Sequence, residues 1–261
     1  MTIALPARAK LNLDLAVLGR RDDGYHDIRT TMQAIDLHDL ITLKPSNKTT
    51  LIISGLPMKN TKDNSILKAH AALEQATNQT LPTEIHLHKR IPAGAGLGGA
   101  SSDAATTLRG LAALHHVTAN LKAIASQIGA DVPFFLAGGT AIAEHRGDHL
   151  TPIPTRHQWF AIAWPGVELL TPDVYRAWDK LDHAASDSPN HLTHAAMSIE
   201  PRLQEFANVL NSHGYGWQMT GSGSAFFFRC ASEQEAKQQT ARLKGWTAVA
   251  QSVGAWAQAH Q

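Results

Sequence analysis

Between positions 91 and 103 the chain reads Ile-Pro-Ala-Gly-Ala-Gly-Leu-Gly-Gly-Ala-Ser-Ser-Asp. The glycines at 94, 96, 98 and 99 leave no Cβ to hold the backbone away from a bound group. Ser101 and Ser102 then open an apolar-striped segment that reads as a helix. A helix N-terminus presents free N–H groups and the positive end of the dipole, which together suit a phosphate. The competing reading is a glycine-rich turn that only packs a helix tightly. Paired hydroxyls directly after so many glycines favour the phosphate.

Three phosphate-binding patterns can be tested on this segment. A Walker loop needs Lys and then Ser or Thr after its last glycine, and Gly99 is followed by Ala100. Gly94, Gly96 and Gly99 fit Gly-x-Gly-x-x-Gly, but a dinucleotide site also needs an acid about 20 residues on to hold the ribose. No Asp or Glu lies between Asp103 and Asp131. The protein-kinase glycine loop sits in a hairpin and is not followed by a helix. What remains is strand, glycine loop and helix, with serines in place of the lysine.

Other side chains could complete a phosphoryl-transfer site. That chemistry needs a phosphate cradle, a cation, an aligned hydroxyl and a group to orient or deprotonate it. Leu11, Leu13, Leu15 and Val17 alternate, so 9–18 reads as a strand with Lys10, Asn12 and Asp14 on its other face. On spacing alone Lys10 is a solvated strand-face lysine. Asp131 follows Gly129-Ala130 and precedes Val132-Pro133, where the chain should turn extended, and by itself it reads as a turn or cap residue. Asn64 is equally a helix cap or a nucleotide contact. The second glycine turn, Thr220-Gly221-Ser222-Gly223, is either a plain hairpin turn or a lid on the cleft. The 15 histidines include His86/His88 and His191/His194, but neither pair has a third ligand at metal spacing, so packing and surface roles are favoured.

Residues 92–102 resemble the phosphate motif of the GHMP small-molecule kinases, Pro-x-x-x-Gly-Leu-Gly-x-Ser-Ser, with one glycine more. Two further segments, Pro6-Ala7-Arg8-Ala9-Lys10-Leu11-Asn12-Leu13 and Arg21-Asp22-Asp23-Gly24-Tyr25-His26, narrow the resemblance to the kinases of 4-diphosphocytidyl-2-C-methyl-D-erythritol, an isoprenoid precursor. Their usual opening is Pro-Ala-Lys-Leu-Asn-Leu, and here Ala7-Arg8 is inserted while Lys10 and Asn12 stay in place. Gly129-Ala130-Asp131-Val132-Pro133 and Thr220-Gly221-Ser222-Gly223-Ser224 belong to the same set. The likeness is strong to about residue 149 and again around Gly221, and weak between 179 and 210.

The resemblance implies roles that spacing does not. Lys10 and Asp131 become catalytic. Pro92, Ala93, Gly94, Ala95, Gly96, Leu97, Gly98, Gly99, Ala100, Ser101 and Ser102 would hold ATP, with Asn64 (in Asp63-Asn64-Ser65-Ile66) and Lys89 on the adenine side. Asn12, Tyr25, His26, Thr171, Tyr175, Gly221 and Ser222 would hold the cytidine-linked polyol. Tyr25 and His26 supply a ring and a polar reader, and Tyr175, otherwise an amphipathic helix residue, the second ring. Mg²⁺ is expected from the chemistry, with no protein ligand assigned. Other GHMP acceptors, homoserine or a mevalonate derivative, and a non-catalytic ATP sensor are the alternatives. Retention of both Lys10 and Asp131 argues against the sensor.

Composition sets the frame. A chain of 261 residues can bury a substantial core. Its net charge of +1 carries no broad basic field for nucleic acid or membrane. The lone cysteine, Cys230, suits a reducing compartment, and no apolar run reaches the ~20 residues of a membrane span, so a cytoplasmic enzyme is expected, with no protein partner evident. The expected class is α+β in two parts. An N-terminal half (1–152), like ribosomal protein S5, holds the loop. A C-terminal ferredoxin-like half (153–261) is expected from its order of strand, helix, two strands, helix, strand. The active site is expected in the cleft between them. Expected elements include strands near 31–35, 40–43 and 83–89, helices from 64, from 121 and over 201–213, and a capping box at Ser232 and Glu235 that opens a helix to about Lys244. Residues 183–198 give no clear pattern.

Overall fold

In the computed structural model, Ile3–Asn12 (β1) and Ala16–Arg20 (β2) both pair antiparallel with one long strand, His26–Pro45 (β3). The structure describes residues 1–57, 64–181, 188–212, 214 and 216–256; Asp63 and the expected helix end at His213 lie outside them. The first sheet adds Thr50–Gly55 (β4), Thr83–Lys89 (β5), Thr140–His145 (β6) and His149–Ile153 (β7), in the order β4-β5-β3-β6-β7. The helices Ser65–Thr77 (α1), Gly99–His115 (α2), Leu121–Ile128 (α3) and Val132–Ala137 (α4) share a core with this sheet, built on Ile41, Leu43, Ile66, Leu73, Leu108, Leu111 and Phe134.

Several expected boundaries move, each for a local reason. Residues 9–18 are not one strand, because Asp14 turns outward and accepts from Thr31 N (2.7 Å) and Thr31 Oγ1 (2.8 Å). The expected strands at 31–35 and 40–43 are parts of β3, and the intervening Asp36-Leu37-His38-Asp39 hides that continuity by its polarity. Between Arg8 and Lys10 the register jumps from His38 to Ala34, so β3 bulges there. In α1 the buried residues are Ile66, Ala69, His70 and Leu73, whereas Ala71 faces solvent. The chain does not turn extended at Asp131: α4 begins at the next residue, with Pro133 in its first turn, where a missing N–H costs nothing. Thr151 and Pro152, at the boundary expected between the halves, belong to edge strand β7.

The second sheet comprises Trp159–Trp164 (β8), Gln218–Met219 (β9), Phe226–Cys230 (β10) and Trp246–Gln251 (β11), ordered β11-β8-β10-β9 with antiparallel neighbours. With the helices Thr171–Trp178 (α5) and Glu233–Ala241 (α8) as its crossovers this is the ferredoxin-like order. Thr193–Ile199 (α6) and Arg202–Ser212 (α7) are additions after α5, and α6 lies in the stretch that showed no pattern. Ser232 caps this helix as expected, its Oγ accepting from Glu235 N at 3.2 Å, while Glu235 reaches one residue further back than in a capping box, its Oε2 accepting from Ala231 N at 2.6 Å. The helix ends at Ala241, one turn short of Lys244.

The two sheets share side chains. Ala9, Leu11, Ile35, Ala95 and Leu97 from the first half pack with Phe160, Ile162, Ala225 and Phe227 from the second. The chain then returns to the first half. Ser252 bridges Ile35 and Ala255 bridges Gly138. Trp256 donates from its ring N–H to Phe135 O at 3.0 Å, with Arg8 and Arg109 over its ring at 3.8 and 4.3 Å.

Candidate active site

β1 brings Lys10 and Asn12 to one side of its buried end, while Ala9 and Leu11 point into the core between the sheets. The Lys10 ammonium donates to Asn12 Oδ1 and lies 3.9 Å from Asp131 Oδ2. Burial pushes the Lys10 amine below its usual range, and the charge of Asp131 opposes that shift. Asp131 sits at the N-terminus of α4 and is the more open partner, 31% exposed against 5% for Lys10. Asn12 is held from three sides. Its N–H donates to Thr220 Oγ1 (2.8 Å), its amide donates to Thr30 Oγ1 (2.8 Å), and its oxygen receives Lys10.

The glycine loop lies against this pair. Lys10 N donates to Leu97 O at 3.0 Å, Ala225 N to Ala95 O at 3.0 Å, and Leu169 N to Gly94 O at 3.1 Å. Ala95 and Leu97 are buried anchors, Pro92 is buried, Ala93 is half-buried, and Gly94 and Ala100 are exposed. The reason for the glycines differs from the expectation. Gly96 has φ +77°, and a Cβ there would lie 2.3 Å from Thr220 O. Gly98 has φ +73°, and its Cβ would meet Phe135 Cζ at 2.6 Å and Lys10 Cγ at 3.0 Å. The close approach that glycine allows at these two positions is thus to the protein's own elements, which draws the loop onto β1 and onto the second glycine turn.

α2 starts immediately after Gly98. Ser102 N makes the first bond inside the helix, to Gly98 O at 2.9 Å, so the N–H groups of Gly99, Ala100 and Ser101 have no intrahelical acceptor. Ser101 is half-buried and Ser102 is buried in this first turn. Asn64 caps α1, accepting from Ile66 N at 2.9 Å. Lys89 is buried at the end of β5, where its ammonium contacts Asp39 and Asp103 Oδ2, the latter at 2.9 Å.

The second half closes the other side. A Cβ on Gly221 would lie 3.0 Å from Asn12 Oδ1 and 3.1 Å from Lys10 Nζ. Ser222 Oγ and Thr171 Oγ1 are 2.8 Å apart, joining this turn to the start of α5. Tyr175, one turn along α5, stacks on His26 with centroids 4.8 Å apart and planes at 23°. Burial, with Asp131 adding, pushes the Tyr175 hydroxyl above its usual range. His26 and Tyr175 are in direct contact, so a pyrimidine does not lie between those two rings. Tyr25 stands apart, 58% exposed, with Arg146 over its ring at 5.3 Å.

Three residues that sequence reasoning passed over, and Thr220 of the second glycine turn in a role it did not foresee, hold this site. Asp179 Oδ1 is 2.6 Å from His26 Nε2. Its signal was the four-residue step from Tyr175 on one helix. Thr220 and Thr30 grip Asn12, and Asn190 donates to Met219 O (2.9 Å) and Gly221 O (2.8 Å), which braces the second turn. These last partners are far apart in sequence and carried no local signal. Of the two histidine pairs, His88 contacts Ser54 and His191 accepts from Val17 N at 3.2 Å.

Residues 64–139 match the family model of the GHMP kinase N-terminal domain, and residues 167–246 match that of the GHMP kinase C-terminal domain. The chain is 33% identical over 267 residues to a 4-diphosphocytidyl-2-C-methyl-D-erythritol kinase of Persephonella marina, covering 94% of this chain and 97% of the relative. The chain belongs to the GHMP kinase family. A Delftia acidovorans protein of the same name is 38% identical over 245 residues, with 85% of each chain covered. A crystal structure of 4-(cytidine 5'-diphospho)-2C-methyl-D-erythritol kinase superposes with a TM-score of 0.83 at 33% identity, covering 97% of this chain and 100% of that one. A homoserine kinase from Cytophaga hutchinsonii shares the fold alone, with a TM-score of 0.66 at 20% identity over 97% of this chain and 95% of that one. As a GHMP kinase the protein draws its phosphoryl group from ATP, and Lys10, Asp131 and the open N-terminus of α2 lie together in the cleft between its two domains.

Proposed function

We propose that this GHMP kinase transfers the γ-phosphoryl group of ATP to the 2-hydroxyl of 4-diphosphocytidyl-2-C-methyl-D-erythritol. The observation that carries the reading is the Lys10–Asp131 pair, 3.9 Å apart, beside the unfilled N–H groups of α2. The names of the 33–38% identical relatives support the choice of acceptor. The nucleotide phosphates lie against Gly94–Ser102, with the α2 N–H groups donating to them. The adenine lies toward Asn64 and the end of β5. Asp131 receives the proton of the 2-hydroxyl as its oxygen attacks phosphorus. Lys10 offsets the negative charge that gathers on the transferring group, in a site whose burial strengthens that interaction. Asn12 directs a hydrogen bond at the polyol.

The cytidine end is held by the α5 side of the cleft. Tyr25 gives an exposed ring, and the His26–Tyr175 stack forms a fixed wall against which a flat base can rest. Thr171, Gly221 and Ser222 line the path between the base and the reacting hydroxyl. Among the described residues no group of three His, Cys, Asp or Glu side chains could enclose a metal. Mg²⁺ would enter with ATP and would neutralise phosphate charge during the transfer.

No helix among the described residues is long and apolar enough to cross a membrane, and the single cysteine, buried, is free. The free thiol is in keeping with a reducing compartment, the cytoplasm. The division at residues 152/153 falls one residue inside β7, the last strand of the first sheet, and 252–256 return to that sheet. The test is ADP release from ATP with three acceptors offered separately: the cytidine-linked polyol, homoserine and mevalonate. Turnover with the first alone is expected. Turnover with either other acceptor in its place assigns a different GHMP activity, and no ADP with any of them indicates a sensor.

A further inference from the structure

Three charged side chains are sealed behind the glycine loop and take no part in the mechanism above. Asp39, on β3, is fully buried; Lys89, at the end of β5, is 3% exposed; Asp103, in α2, is 2% exposed. Asp39 Oδ1 accepts from Arg90 N (2.5 Å) and Ile91 N (2.9 Å), the two residues that lead into the loop. Its other oxygen receives the Lys89 ammonium. That ammonium also donates to Asp103 Oδ2 at 2.9 Å, one residue beyond the paired serines that leave the loop. The three groups therefore connect the strand that enters the loop with the helix that leaves it, across positions 90 to 103.

We propose that Asp39, Lys89 and Asp103 are positioning residues that fix the two arms of the phosphate loop, so that its N–H groups converge before ATP arrives. The three groups lie deep, so Lys89 acts on the nucleotide through the loop. Two carboxyl groups share one ammonium, and Asp103 Oδ1 is buried without a hydrogen-bond partner among the described residues. Burial pushes the Asp103 carboxyl up to about 7, with Lys89 opposing and Asp39 adding to the shift. A Cβ on Gly99 would lie 3.2 Å from Lys89 Nζ, so the first residue of α2 is seated directly on this group.

The inference rests on reading Gly94–Ser102 as the phosphate cradle, and calorimetry separates the two claims. In the wild-type protein ATP must bind more tightly than adenosine; equal affinities refute the cradle itself. Asp39→Asn and Lys89→Met are then compared. Both are expected to weaken ATP about tenfold, the scale of losing a hydrogen bond to a charged group, while adenosine affinity stays within about twofold. In kinetics the KM for ATP should rise and the KM for the acceptor should hold. Lys89→Met leaves Asp39 without its cation, so Asp39→Asn, the gentler change, decides if Lys89→Met does not fold. Native ATP affinity in folded Asp39→Asn, or an equal loss for ATP and adenosine, overturns the proposal.

Discussion

At the scale of single residues, the site is a matter of how far each charge is withdrawn from water. Lys10 is nearly sealed and its amine is pushed down by burial, while Asp131 keeps an open face. A buried cation offsets phosphoryl charge with little solvent screening, and an open carboxylate can reach an incoming hydroxyl. Asp131→Asn keeps the shape and removes the charge. Its kcat should fall by ~10²-fold or more, the range for losing a general base, with calorimetric ATP affinity unchanged. Lys10→Met should lose rate as well, because nothing else positive lies within 4 Å of Asp131 among the described residues. Near-native turnover in Asp131→Asn removes the residue from the mechanism. Gly98→Val is a poor probe of the phosphate contact, since its side chain would strike Phe135 and Lys10 before it met a ligand.

At the scale of elements, α5 is the piece that the proposed function sets against the cytidine end of the acceptor. Its helical spacing puts Tyr175 and Asp179 one turn apart, and both meet His26. Trp178 adds an edge-on contact to the same ring at 5.4 Å, and Arg20 of β2 lies 3.6 Å from Asp179. Asp179 fixes the His26 ring, and that ring sets the tilt of Tyr175. Asp179→Ala should therefore raise the KM for the cytidine substrate by roughly tenfold, as for a charged hydrogen bond lost, and leave the KM for ATP unchanged. Steady-state kinetics with each substrate varied in turn check this. A rise confined to ATP would put α5 on the nucleotide side of the cleft. On the other side, β5 and α2 deliver the loop, and the buried triad behind it ties those two elements together.

At the scale of the whole molecule, the two sheets are locked by a shared core and by the returning C-terminal segment. Trp256 is contacted over its ring by two guanidinium groups and bonds to α4, the helix that carries Asp131 at its start and Phe135 beneath Gly98. Two cation–π contacts and one hydrogen bond together contribute about 2 kcal/mol. Trp256→Ala should therefore lower Tm by roughly 4–8 °C in a chain of this size. Thermal unfolding followed by circular dichroism measures it, and an unchanged Tm means that this segment does not hold the halves together.

Much of this protein was written locally. The Gly-rich run and its following serines form a short pattern whose chemistry depends on neighbours in sequence. Asp131 and the Asp-Gly-Tyr-His segment instead took their expected roles from the family resemblance, and the extended corner expected at Asp131 is the start of α4. The ferredoxin-like order and the helix cap at Ser232 were legible locally, because periodicity and capping act within a few residues. Long-range pairing decided the rest. Only the fold shows that Gly96 and Gly98 are needed for contact with Thr220 and Phe135, that β3 runs unbroken through a polar stretch, and that Lys89 is enclosed by two acids. Thr220 lies 208 positions from Asn12, and Asp179 lies 153 from His26. No local pattern encodes such partners: a buried polar group accepts whichever complementary atom the packing brings to it, and packing is a property of the whole chain.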